Sequence, residues 1–129
     1  MAKANPTENY QERIAEHYRN PRNFGKISGR ALHGRAHNPA CGDDIEIYLK
    51  VDNGKITDVK FHGKGCGISL AGASMLTEKV RGMTVAAAKN LKKEDIFEML
   101  GVKKIENPRT VCALLCLDAL LKSLAQLKG

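Results

Sequence analysis

The stretch Asp44-Ile45-Glu46-Ile47-Tyr48-Leu49-Lys50-Val51, followed by Asp52-Asn53-Gly54 and then by Thr57, Val59 and Phe61 at every second position, decides the fold class. Ile45, Ile47, Leu49 and Val51 alternate with Asp44, Glu46, Tyr48 and Lys50, the period of a strand buried on one face. Asn53-Gly54 supplies residues that tolerate the positive φ of a tight hairpin turn, so the second run returns antiparallel to the first. One face of this pair needs a cover, and the chain provides it downstream. After residue 69 the period becomes helical: Leu70, Ala73, Leu76, Thr77 and Val80 share a face that ends at Gly82. A short Ala-rich helix follows from Thr84, another from Lys93 to Leu100, and a long one from Arg109 to Gln126. Upstream, Tyr10, Ile14 and Tyr18 mark a helix over Tyr10 to Arg19, with Asn9 and Glu12 resembling a capping box and Asn20-Pro21 stopping it. Arg30 to His37 reads as a weakly patterned strand. Strands first and helices later predict an α+β fold, an antiparallel sheet with helices packed on one face and a long C-terminal helix.

The 129 residues, 43% of them hydrophobic, suffice for one domain over residues 1–129, with residues 1–8 expected to be flexible. No apolar run approaches a membrane span, and the start Met1-Ala2-Lys3-Ala4-Asn5-Pro6 reads as neither signal nor anchor. The expected address is the cytoplasm, without a membrane partner. Lys and Arg number 21 against 14 Asp and Glu, a net charge of +7. This excess forms no block, and three Tyr, three Phe and no Trp make no stacking platform, so no nucleic acid is expected and the charge reads as a solvated face.

Chemistry concentrates at the cysteines. In a chain without an export signal, Cys41, Cys66, Cys112 and Cys116 are expected to be reduced, and their spacing contains no Cys-x-x-Cys pair. Cys41 lies in the turn-rich Asn38-Pro39-Ala40-Cys41-Gly42-Asp43, before the first strand of the hairpin. Cys66 lies in Gly63-Lys64-Gly65-Cys66-Gly67, where the second strand gives way to a helix. Cys112 falls near the start of the last helix, where free amides and the helix dipole favour thiolate. Singly, Cys41 and Cys66 read equally as turn thiols and Cys112 rather as a small core residue of a helix; jointly, they point to a metal or cluster site at one end of the sheet. Asp43, two residues after Cys41, can reach the same centre or stand as a strand-entry carboxylate. Three thiolates and one carboxylate suit closed zinc or a loosely held cluster. Cys116, one turn after Cys112, reads as a core cysteine with a spare ligand as the alternative, and His17, His33, His37 and His62 read as surface or structural residues.

His17-Tyr18-Arg19-Asn20-Pro21-Arg22-Asn23, Asn38-Pro39-Ala40-Cys41-Gly42-Asp43, Gly65-Cys66-Gly67-Ile68-Ser69 with Ala73-Ser74-Met75-Leu76-Thr77-Glu78, and Arg109-Thr110-Val111-Cys112-Ala113-Leu114-Leu115 closely resemble the iron-sulfur cluster assembly scaffolds of the IscU/NifU-N-terminal/SufU type. The resemblance runs from about Tyr10 to Ala125 and implies a sheet of three antiparallel strands. It implies a non-enzymatic scaffold whose site, formed by Cys41, Asp43, Cys66 and Cys112, holds iron and a 2Fe-2S cluster, or zinc. The implied partners are a cysteine desulfurase, an electron donor such as a ferredoxin, and acceptor apo-proteins; pairs and trimers of the chain stay open. Cys112 is the favoured persulfide acceptor. Val111 stands where the IscU branch has a His before the third cysteine, which leaves Asp43 as fourth ligand. Ile105-Glu106-Asn107-Pro108-Arg109 replaces the Leu-Pro-Pro-Val-Lys of that branch, which argues against recruitment of its dedicated Hsp70-type chaperone. The SufU branch carries an insertion for which the direct run from Cys66 to Cys112 leaves no room, so its role as a zinc-bound sulfur acceptor is the alternative.

Overall fold

A computed structural model describes residues 10–39, 42–101 and 109–127. The expectations about residues 1–8, the Asn9 cap and the segment Ile105 to Pro108 lie outside the described residues. The chain order is α1 (Tyr10–Arg19), β1 (Leu32–Asn38), β2 (Asp43–Asp52), β3 (Lys55–Lys64), α2 (Gly67–Val80), α3 (Val85–Lys89), α4 (Lys93–Leu100) and α5 (Arg109–Leu124). The three strands form one antiparallel sheet in the order β1-β2-β3. Asn53 and Gly54 both take positive φ, 52° and 75°, which closes the β2–β3 hairpin with the twist its strands require.

Ile45, Ile47 and Leu49 on β2 and Val59 and Phe61 on β3 are fully buried on one face. That face meets α2 and α5. The other carries His33, Arg35, Glu46, Tyr48 and Lys60, which are partly or fully exposed. β1 reaches α5 through small residues. A Cβ on Gly34 would stand 2.1 Å from the carbonyl oxygen of Ala119 and 2.5 Å from the amide nitrogen of Ser123, so the helix backbone rests on the strand where a side chain would be. Ala36, the next inward residue, is also buried.

The central helix α2 is buried on nearly every side, including Ser69, Ser74 and Thr77. Its hydroxyls receive the chain that follows α1. Ser74 Oγ accepts the Arg22 amide at 2.8 Å and meets His17 Nδ1 at 2.8 Å, while Asn23 Nδ2 donates to Thr77 Oγ1 at 3.1 Å. Phe61 then donates its amide to the Asn23 carbonyl, and Gly25 donates to the Phe61 carbonyl, covering part of the free edge of β3. His17, read from the sequence as a surface or structural residue, is packed against α2 with only 14% of its side chain exposed. Among the described residues, no helix is long and apolar enough to cross a membrane.

Candidate metal centre

Asp43 opens β2 two residues before Ile45 and therefore shares its inward face. The residue is 1% exposed. A polar group so buried needs a hydrogen-bond partner, and the β3–α2 junction supplies one: the Cys66 amide donates to Asp43 Oδ1 at 2.9 Å. The second oxygen, Oδ2, lies 3.7 Å from Cys66 Sγ. One carboxylate oxygen is thus held by backbone while the other faces sulfur.

Cys66 occupies the position before the first turn of α2 and uses no side-chain cap there. Ser69, one turn on, donates its hydroxyl to the Cys66 carbonyl at 3.0 Å and lies 3.7 Å from Cys66 Sγ. The Ser69 and Asp43 side chains crowd the position of residue 65. A Cβ on Gly65 would stand 2.4 Å from Ser69 Oγ and 2.7 Å from Asp43 Oδ1. A side chain there would push the Ser69 hydroxyl or the Asp43 carboxylate from its present place beside Cys66.

Cys112 sits in the first turn of α5 and is 4% exposed, whereas Cys66 is exposed. Asp43, Cys66 and Cys112 each place a donor atom so that all three lie within 4.8 Å of one another. The structure thus brings together three of the four residues singled out in the sequence; Cys41 lies outside the described residues. Cys116 is excluded from the group. Its sulfur is fully buried, and a Cβ on Gly72 of α2 would be 3.5 Å away. Burial pushes its thiol up to about 12, so it stays protonated and makes a poor ligand. Ser69 carried no sequence signal of its own, since a serine in a first helical turn is common.

Two sulfurs and a carboxylate oxygen at this separation suit a thiophilic ion or the iron of a small cluster, with a position left for a further ligand. The architecture, a three-stranded antiparallel sheet covered on one face by helices with this trio at its end, defines a small α+β protein with a candidate metal site of two cysteine sulfurs and a carboxylate. Residues 9–129 match the NifU-like N terminal domain family, and the chain belongs to that family. It is 39% identical over 127 residues to the iron-sulfur cluster assembly enzyme IscU of Drosophila melanogaster, covering 95% of this chain and 80% of the relative. It is also 34% identical over 137 residues to the zinc-dependent sulfurtransferase SufU of Bacillus subtilis, covering 93% and 92%. A crystal structure of a protein described as hypothetical superposes with a TM-score of 0.77 at 30% identity, covering 91% of this chain and 97% of the other.

Proposed function

We propose that this chain is a scaffold on which a labile 2Fe-2S cluster is assembled from iron and desulfurase-derived sulfur and from which it passes to acceptor apo-proteins. The observation that carries this reading is the meeting of Asp43, Cys66 and Cys112 at one end of the sheet, with one carboxylate oxygen turned toward a thiol. Cys41, two residues before Asp43 in the sequence, completes the ligand set. A carboxylate among thiolates holds iron less firmly than a fourth sulfur would, which suits cargo that must leave. Residues 1–129 act as a single domain in this reading, and a reducing cytoplasm keeps the thiols available.

Sulfur arrives when a thiolate of the scaffold attacks the terminal sulfur of a donor persulfide, forming a persulfide here and releasing the donor as thiolate. Cys112 is the favoured acceptor because free amides at the start of α5 favour an anionic sulfur. Cys66 is the exposed thiol of the pair, so it is the one an incoming persulfide meets first unless α5 shifts. Mass spectrometry of peptides after reaction with a desulfurase distinguishes the two. Electrons from a ferredoxin-like donor complete the assembly.

Anaerobic reconstitution with iron and sulfide tests the reading. A sulfide-dependent visible chromophore that moves to an apo-ferredoxin is expected, and protein that forms none would refute it. The same donors also suit zinc, and 34% identity to a zinc-dependent sulfurtransferase favours a second reading as a zinc-bound sulfur acceptor. That reading expects one tight zinc, no acid-labile sulfide and stimulation of a desulfurase.

A further inference from the structure

The open face of the sheet holds a carboxylate between two imidazoles. Strand register sets Glu46 directly opposite Arg35 on one side and His62 on the other. Arg35 does not take it, because its guanidinium bonds both oxygens of Asp44, with Nε at 2.8 Å from Oδ1. Glu46 is left to the histidines. His33 Nε2 lies 2.8 Å from Oε2, and His62 Nδ1 lies 3.6 Å from Oε1. Each ring has its own support: His33 stacks on Tyr48 with centroids 4.7 Å apart, and His62 lies 5.3 Å from Phe24. Burial works against ionisation of Glu46, yet the hydrogen bond and charge of His33, the charge of Lys26 and the hydrogen bond of His62 hold its carboxyl below the usual glutamate range. The set is an anionic oxygen pair with an imidazole at each end.

We infer that His33, Glu46 and His62 form a second metal site, on the face of the sheet away from the helices, for one divalent first-row transition ion. Two imidazole nitrogens and a carboxylate suit zinc, copper, nickel or ferrous iron, and are poorly matched to magnesium or calcium, which prefer all-oxygen shells. Only the Asp43 trio already has its donor atoms within 4.8 Å among the described residues. At Glu46 the two nitrogens lie on separate oxygens, and turning both onto one ion takes rotation of side chains that are 41% and 40% exposed. The site contains no sulfur and stands whether or not the cysteines carry a cluster.

Cobalt(II) titrated anaerobically into the reduced full-length chain tests this. Ions at the cysteines show thiolate-to-cobalt charge-transfer absorption; the open-face ion binds without it and broadens the ring-proton resonances of His33 and His62. The double variant His33→Gln/His62→Gln, and separately Glu46→Gln, are expected to weaken the sulfur-free binding at least tenfold and leave the charge-transfer signal unchanged. Absence of any sulfur-free binding overturns the inference, as does such binding at undiminished affinity in the double variant. The ring-proton measurement on the unaltered chain decides the matter even where a variant fails to fold.

Discussion

Asp43 has two tasks, one for each oxygen, and they can be separated by substitution. Oδ1 holds the Cys66 amide, while Oδ2 faces its sulfur. Asp43→Ala removes both, and Asp43→Asn retains an acceptor for the amide while discarding the charge. Both variants are expected to retain a reconstituted cluster several-fold longer than the parent in a transfer assay to apo-ferredoxin, because the labile ligand is gone. The Ala variant is also expected to unfold more easily by about 1–3 kcal/mol in urea, since it orphans a partly buried amide. Cys116 provides the contrasting residue. Its thiol, raised to about 12 by burial, should resist iodoacetamide in the folded chain at pH 8 while Cys66 is modified, as peptide mass spectrometry would record. Cys116→Ser should bind metal normally, at a cost of about 1 kcal/mol of stability, since its hydroxyl can donate to the Ala113 carbonyl that the thiol now contacts. The convergence of Asp43, Cys66 and Cys112 was legible because glycines, a turn and a helix start framed them. The hydrogen bond from the Cys66 amide to Asp43 was not legible, because it depends on the inward parity of the first residue of β2, set by where that strand begins.

At the level of elements, the sequence and the structure agree most closely where burial is one-sided. The β2–β3 hairpin shows its alternation and its Asn-Gly turn openly, and α1 and α4 have the bounds read from periodicity. β1 was weakly patterned for a physical reason. Its inward residues are Gly34 and Ala36, chosen by the contact with α5 and too small to register as hydrophobic alternation. α2 begins at Gly67, earlier than the apolar spacing suggests, because its first turn is built around Ser69 and the thiol before it. The attachment of α1 to α2 carries a pH dependence. Burial lowers the pKa of His17, and Arg22 adds to this against the opposing charges of Glu78 and Glu16. The folded chain therefore holds the ring neutral where an unfolded chain, with an ordinary pKa of about 6.5, takes up a proton. The unfolded state binds more protons in that window, so stability falls as pH drops below about 6.5. Thermal unfolding between pH 7.5 and 5.5 should show the decline, and His17→Gln should flatten it.

Over the whole molecule, α5 joins the two ends of the fold. It carries Cys112 in its first turn, and seven residues later the Ala119 carbonyl lies against Gly34 of β1. Gly34→Ala puts a methyl group into backbone atoms of the helix, with no flexible side chain to yield. The expected loss is about 3 kcal/mol, read as a lowered urea midpoint. The added methyl acts as a shim under the shaft of a lever whose tip bears a sulfur. Any tilt it causes is carried along the rod, so a substitution on the far strand should detune the grip on iron without touching a single coordinating atom.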